Sequence, residues 1–259
     1  MTYPKALWVC LFLVLPGLHN SAVAQQFSVA GAVLQPGSHP WHPEARLRDA
    51  VAAAQVRADA WFLGAALLRG RAMEPQKRLK AGILFDLRAN RLHARVENNQ
   101  PLVELLNRLD SQVSALPVTG RITARLAPFD LLLPQHNLPL EAGDQLTYPT
   151  RPTQLRVMGA VQADCVLAHD PALSLRDYLG QCPAHPAASR DHVFVIQPDG
   201  HVQHTGIAHW NEQPVNIAVG AILYRPLHAA RLLPESGELN SDLAALLATQ
   251  YQLGGHLVE

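Results

Sequence analysis

The sequence predicts an α+β chain built from two copies of one small module, and three observations predict it. Val29-Ala30-Gly31-Ala32-Val33 recurs as Val157-Met158-Gly159-Ala160-Val161, and Leu47-Arg48-Asp49 recurs as Leu175-Arg176-Asp177, both at an offset of 128 residues. A constant offset across two separated motifs marks an internal repeat. Each copy closes on a glycine followed by a strand, Gly143 to Tyr148 and Gly220 to Tyr224, where the offset falls to 77. The 51-residue difference (128 − 77) is sequence that the first copy holds and the second lacks.

The N-terminus reads as a secretory signal peptide over residues 1–24. Lys5 supplies the positive end and Ala6 to Leu15 the apolar run. Pro16-Gly17 ends that run, and Ala22-Val23-Ala24 offers small residues for cleavage near Ala24. The run is about ten residues, against about 20 for a bilayer-spanning helix, and no other stretch is apolar enough to span. Cys10 sits inside the run rather than after small residues at its end, so a lipoprotein is not expected. Cleavage leaves 235 residues (259 − 24) with 20 basic and 21 acidic side chains. That near-neutral balance argues against a nucleic-acid surface.

Within each copy, a short β-branched strand carries a glycine, where a bulge or close backbone approach is expected. A turn follows, Gln35-Pro36-Gly37 in the first copy. A short helix comes next, with Leu47, Ala50, Val51 and Ala54 on one face in the first copy and Leu175, Tyr178 and Leu179 in the second. Val193 to Ile196, the Pro198-Asp199-Gly200 turn and a return strand make a hairpin. The first copy's counterpart, Trp61 to Gly70, is rich in Ala and Leu and has no such turn.

The extra residues of the first copy fall at about 71–121 and are helical in pattern. Leu79, Ile83 and Leu87 share one face; Leu102, Leu105, Leu106, Leu109 and Val113 share another. Asn98 to Pro101 separates the two helices, with proline near the second helix's first turn. After the second copy, Pro234 to Gly237 breaks the chain. Leu239, Leu243, Leu246, Leu247 and Tyr251 then stripe one helix, stopped by Gly254-Gly255. The expected division is a signal peptide at 1–24, a first module at 25–152 with its insertion at about 71–121, a second module at 153–233, and a C-terminal amphipathic helix and tail at 234–259.

Strand, glycine and turn, a short Leu-Arg-Asp helix, further strands and a closing glycine-strand resemble the soluble-ligand-binding β-grasp module of outer-membrane polysaccharide exporters. Two such copies, one with a helical insertion, and a terminal amphipathic helix resemble the capsule biosynthesis GfcC-like family. The pieces that carry the resemblance include Gly159-Ala160-Val161, Leu175 to Leu179, Gln197-Pro198-Asp199-Gly200, Trp210-Asn211 and Leu239-Asn240-Ser241-Asp242. The resemblance implies a periplasmic role in polysaccharide secretion or assembly, with no catalytic activity established for the family.

The residues offer little recognisable chemistry. His201 and His209 share a strand face while His204 points away, so the three do not converge on a metal, and they read as solvent-facing hairpin residues. No metal site and no cofactor is expected: the sequence has no Gly-x-Ser-x-Gly elbow, no G-x-G-x-x-G and no Walker sequence. Asp49 and Asp177 are repeat-equivalent, which favours a structural role. Cys165 and Cys182, the two cysteines left after cleavage, are expected to pair in an oxidising compartment; two separately buried thiols are the alternative.

Three residues are ligand candidates. Arg121, at the exit from the insertion, could reach a crevice between insertion and modules and grip carboxylates; the competing reading is a salt bridge between domains. Trp210, beside Asn211, could stack on a sugar ring or serve as a packing anchor. The terminal helix is expected to dock a partner through Leu239, Leu243, Leu246, Leu247 and Tyr251, with packing on its own domain as the alternative. The function expected is a periplasmic, non-catalytic accessory in capsular or exopolysaccharide export that binds glycan, the outer-membrane export machinery or both. The alternative is a glycan-modifying enzyme with a site near the insertion. Against it stands the absence of paired carboxylates around Arg121, where Asp130 is the nearest.

Overall fold

A computed structural model of the protein describes residues 25–252. The signal-peptide reading and the Gly254-Gly255 stop lie outside the described residues. The chain is α+β, with two five-stranded sheets. The first copy runs β1 (Gln26–Gly31), β2 (Gly37–Pro40), α1 (Leu47–Ala54), β3 (Ala66–Leu68), α2 (Met73–Val96), α3 (Gln100–Ala115), β4 (Arg121–Ile122) and β5 (Gln145–Tyr148). The second runs β6 (Gln154–Gly159), β7 (Cys165–Ala168), α4 (Leu175–Gly180), β8 (His192–Ile196), β9 (Val202–Gly206) and β10 (Ile222–Arg225), and α5 (Leu239–Ala248) follows.

The sheet orders are β2-β1-β5-β3-β4 and β7-β6-β10-β8-β9, one order written twice. In each, the last strand lies parallel to the first and antiparallel to the third. The repeated glycine is explained by this pairing. Gly31 and Gly159 both take positive φ, and a Cβ on either would collide with a carbonyl oxygen of the closing strand, Tyr148 or Arg225. The repeated aspartates brace helix starts: Asp49 accepts from the Arg46 N–H at 2.9 Å and Asp177 from the Ser174 N–H at 2.8 Å.

Helices α2 and α3 leave the first sheet between β3 and β4, where the second copy has only the β8–β9 turn. Asn99 caps α3 through the Leu102 N–H, with Pro101 in the first turn. Their apolar faces do not return to the first sheet. Ile83, Leu87, Leu102, Leu105, Leu106 and Leu109 pack with Phe194, Ile196, Ile222 and Tyr224 of the second sheet. The opposite face of that sheet, Leu155, Val157, Val193, Val195 and Leu223, packs on Leu175, Tyr178 and Leu179 of α4. Alternate residues of β8 therefore enter two different cores. The first sheet has one core, in which Phe27, Val29, Leu67, Leu146 and Tyr148 meet Leu47, Ala50 and Ala54 of α1.

The terminal helix corrects an expectation. Leu239, Leu243, Leu246 and Leu247, read from sequence as a docking stripe, are at most 6% exposed and belong to the core shared with α2, α3 and the second sheet. The periodicity requires a covered face, and this chain covers it. Tyr251 lies beyond the helix, half-buried. Among the described residues no helix is long and apolar enough to cross a membrane.

Candidate functional site

Arg121 stands where the insertion rejoins the first sheet, and its surroundings are built to fix it. Gly120 before it takes a positive φ and sits against the Arg69 carbonyl, where a Cβ would not fit. Gln76, in the first turns of α2, accepts from the Gly120 N–H and donates to the Arg121 carbonyl, both at 2.8 Å. Thr119 donates to the Thr249 carbonyl, and Gln250 to that of Pro117. The strand entry is thus stitched to α2 on one side and to the end of α5 on the other.

Arg121 is 8% exposed, and its guanidinium meets carbonyls from three elements. It donates to Pro198 in the β8–β9 turn at 2.5 Å, to Ala248 at the end of α5 at 3.1 Å, and to Ala65 ahead of β3 at 3.4 Å. Burial pushes its pKa down to about 10, partly offset by the negative charge of Asp199 and Tyr251. The residue stays cationic at neutral pH and joins the two copies through neutral acceptors rather than through a salt bridge.

Beside this joint opens a groove of about 610 Å³, within the usual range for small-molecule sites. The first copy contributes Phe62, Leu63, Thr123, Arg125 and Asp130; the turn of the second copy contributes Asp199 and His201. A shallower extension past Asn216 to Ala218 shares Leu63, Asp199 and His201 with it. Arg125 has no ion-pair or side-chain hydrogen-bond partner among the described residues. Asp199 accepts from the His201 N–H at 2.9 Å, which fixes its carboxylate at the rim. The groove combines an aromatic ring, an apolar ledge, a hydroxyl and charges of both signs.

Asp199 is a groove residue that the sequence did not single out. It lies in a Pro-Asp-Gly turn, where an aspartate is explained by the turn alone, and only the tertiary fold brings it to Asp130. The two other ligand candidates lie elsewhere. Trp210 is 75% exposed and does not line the groove, so it is no packing anchor. Asn211 is used by its own loop: it accepts from the Ala208 N–H at 2.9 Å and donates to the Asp191 carbonyl at 3.0 Å. The structure contains the Cys165–Cys182 disulfide, which ties β7 to the end of α4. His204 stacks on Phe194 and lies near His192, and no metal-binding cluster occurs among the described residues.

Residues 165–251 match the family described as Capsule biosynthesis GfcC C-terminal. Over those residues the chain is similar to the C-terminal region of GfcC-type capsule biosynthesis proteins. The match begins at β7 and ends just past α5, so it takes in the turn that supplies Asp199 and His201 to the groove. The chain is also similar to the uncharacterized protein YjbG of Escherichia coli (strain K12), 27% identical over 143 residues. That match spans 55% of the chain and 58% of the relative.

Proposed function

We propose that the protein is an exported, periplasmic accessory of capsular or exopolysaccharide biosynthesis and export, built from two β-grasp modules, that binds glycan without turning it over. The match of residues 165–251 to the capsule biosynthesis family carries this reading. The strand order common to both sheets supports the β-grasp assignment. The binding surface in this reading is the groove between the copies, with Phe62 and Leu63 under the faces of sugar rings and Arg125, Asp130, Asp199 and His201 for their substituents. Arg121 then acts as a positioning residue that holds the two walls at a fixed distance. The polysaccharide or the outer-membrane export machinery is the partner.

The test is equilibrium binding of the purified protein to the surface polysaccharide of the producing organism. Saturable binding is expected, weakened about tenfold by Arg125→Ala or Asp199→Ala at unchanged melting temperature. No binding, or binding indifferent to both substitutions, removes the groove from the reading. A strain lacking the protein should carry less cell-bound polysaccharide.

One observation favours a second reading, a glycan-modifying enzyme: Asp130 and Asp199, 69 positions apart, line the same groove. Two carboxylates flanking a groove are what glycoside hydrolysis requires. Chain-length analysis of polysaccharide incubated with the protein separates the readings. Turnover abolished by Asp130→Asn or Asp199→Asn would establish the enzyme.

A further inference from the structure

A second concavity, of about 400 Å³, lies where the loop after Cys182 meets the loop after β10. Backbone pairing fixes the junction. Ala188 and Leu227 form an isolated antiparallel bridge, the Ser189 N–H donates to Pro226 O at 2.8 Å, and the His228 N–H donates to Ala187 O at 2.9 Å. Arg190, His228 and Arg231 line the cavity against a single acid, Asp191. Neither guanidinium has an ion-pair or side-chain hydrogen-bond partner among the described residues.

The wall that carries His228 and Arg231 is held from both ends. Asn240 of α5 accepts from the Leu227 N–H at 2.9 Å and donates to the Leu227 carbonyl at 2.8 Å, and Asn90 of α2 accepts from the Leu233 N–H at 2.8 Å. Nδ1 of His228 accepts from the Ala230 N–H at 3.1 Å, so the neutral ring carries its proton on Nε2 and has a donor left. Ser189 Oγ accepts from the His192 N–H at 3.3 Å and steadies the turn that presents Asp191. Arg190 and Arg231 thus bring two positive charges, with Asp191 as the one acid, to the lining of a single hollow.

We infer that this cavity binds a single carboxylate-bearing sugar residue. Arg190 and Arg231 take the carboxylate, by the planar donor geometry that suits guanidinium to carboxylate. Asp191 accepts from ring hydroxyls, and the apolar Pro186 and Ala188 in the lining meet the C–H face of the ring. The selection of an anion follows from the charges alone; the choice of a sugar among hydroxylated acids rests on the polysaccharide reading above.

The experiment is calorimetric titration of the mature chain with D-glucuronate, D-glucose and inorganic phosphate. Saturable binding of glucuronate is expected, with no heat from glucose and phosphate at least about tenfold weaker. Arg190→Ala and Arg231→Ala should each lower glucuronate affinity about tenfold at unchanged melting temperature, since both side chains are exposed. Absence of glucuronate saturation, equal binding of glucose or phosphate, or indifference to both arginine substitutions would overturn the assignment. Arg78→Ala, exposed on α2 and lining neither cavity, should leave this titration unchanged. Glucuronate binding here together with no polymer binding in the groove would therefore remove only the groove; polymer binding there without glucuronate here would remove only this cavity.

Discussion

In the second copy, Phe194, Ile196, Ile222 and Tyr224 lie under α2, α3 and α5, while Val193, Val195 and Leu223 lie over α4. In the first copy, Phe27, Val29, Leu67 and Leu146 lie over α1, and the residues between them, Ser28, Ala66 and Thr147, are small or polar. Two sheets of one strand order thus differ in how many apolar faces they have. The helices inserted in the first copy supply the cover that the second copy's extra face needs. The insertion is the element by which one copy completes the other. The copies also differ in how they are clamped. Arg69 and Asp144, 5% and 1% exposed, form a two-bond ion pair at 2.9 and 2.7 Å that ties β3 to the entry of β5. The second copy has Ala221 at the position equivalent to Asp144 and uses the Cys165–Cys182 disulfide instead.

The strongest way to break this comparison is to remove the insertion. Replacing residues 73–115 by a short turn should leave the first core intact and strip one face of the second sheet. The product should lose cooperative unfolding and bind a hydrophobic dye; a cooperatively folded product would show that the second copy stands alone. Next in size is the first copy's clamp. Asp144→Ala leaves the buried Arg69 guanidinium only its ion pair with the half-exposed Glu141 and its bond to the Pro139 carbonyl, and should cost about 3 kcal/mol or somewhat more in urea unfolding of the whole chain. Removing the second copy's clamp, as Cys165→Ser with Cys182→Ser, frees a loop of separation 17 and should cost about 3 kcal/mol in the chain-entropy model. If the disulfide-free protein matched the parent, the two clamps would not be comparable devices.

The smallest effect sharpens the contrast through pH. His185 and His204, both in the second copy, have pKa values held below the ordinary 6.5. Burial is the main cause for each, joined by the positive charge of Arg108 for His185 and by His192 for His204. A base whose folded pKa is depressed binds more protons unfolded than folded below 6.5. Its contribution is complete above that pH and is lost as pH falls toward the folded value. Urea midpoints should therefore decline below pH 6.5, and His204→Gln should flatten the decline. An unchanged slope in that variant would assign the acid sensitivity elsewhere.

The repeat, the short helices and the apolar faces of α2 and α3 were legible in the sequence, because a covered helix face imposes a period that single residues display. The owner of the cover was not. The stripe from Leu239 to Leu247 has the same spacing whether a partner or α2 lies against it, and nothing local distinguishes the two. Arg69 and Asp144 are 75 residues apart, so their pairing has no sequence signature. The groove shares that difficulty, since Asp199 reaches it only through the placement of a turn from the other copy.

The stitching of α2 to the C-terminus has a consequence for the order in which the chain takes shape. Asn90 donates to Ser236 across 146 residues, and the leucines of α5 fill the same core as Ile83 and Leu87. Contacts of such separation form late and slowly, because a long loop must close before they return any stability. During synthesis the inserted helices emerge well over a hundred residues ahead of the helix that covers them. Their apolar faces stay open until the second sheet and α5 have been made, so the insertion's folding waits on the second copy.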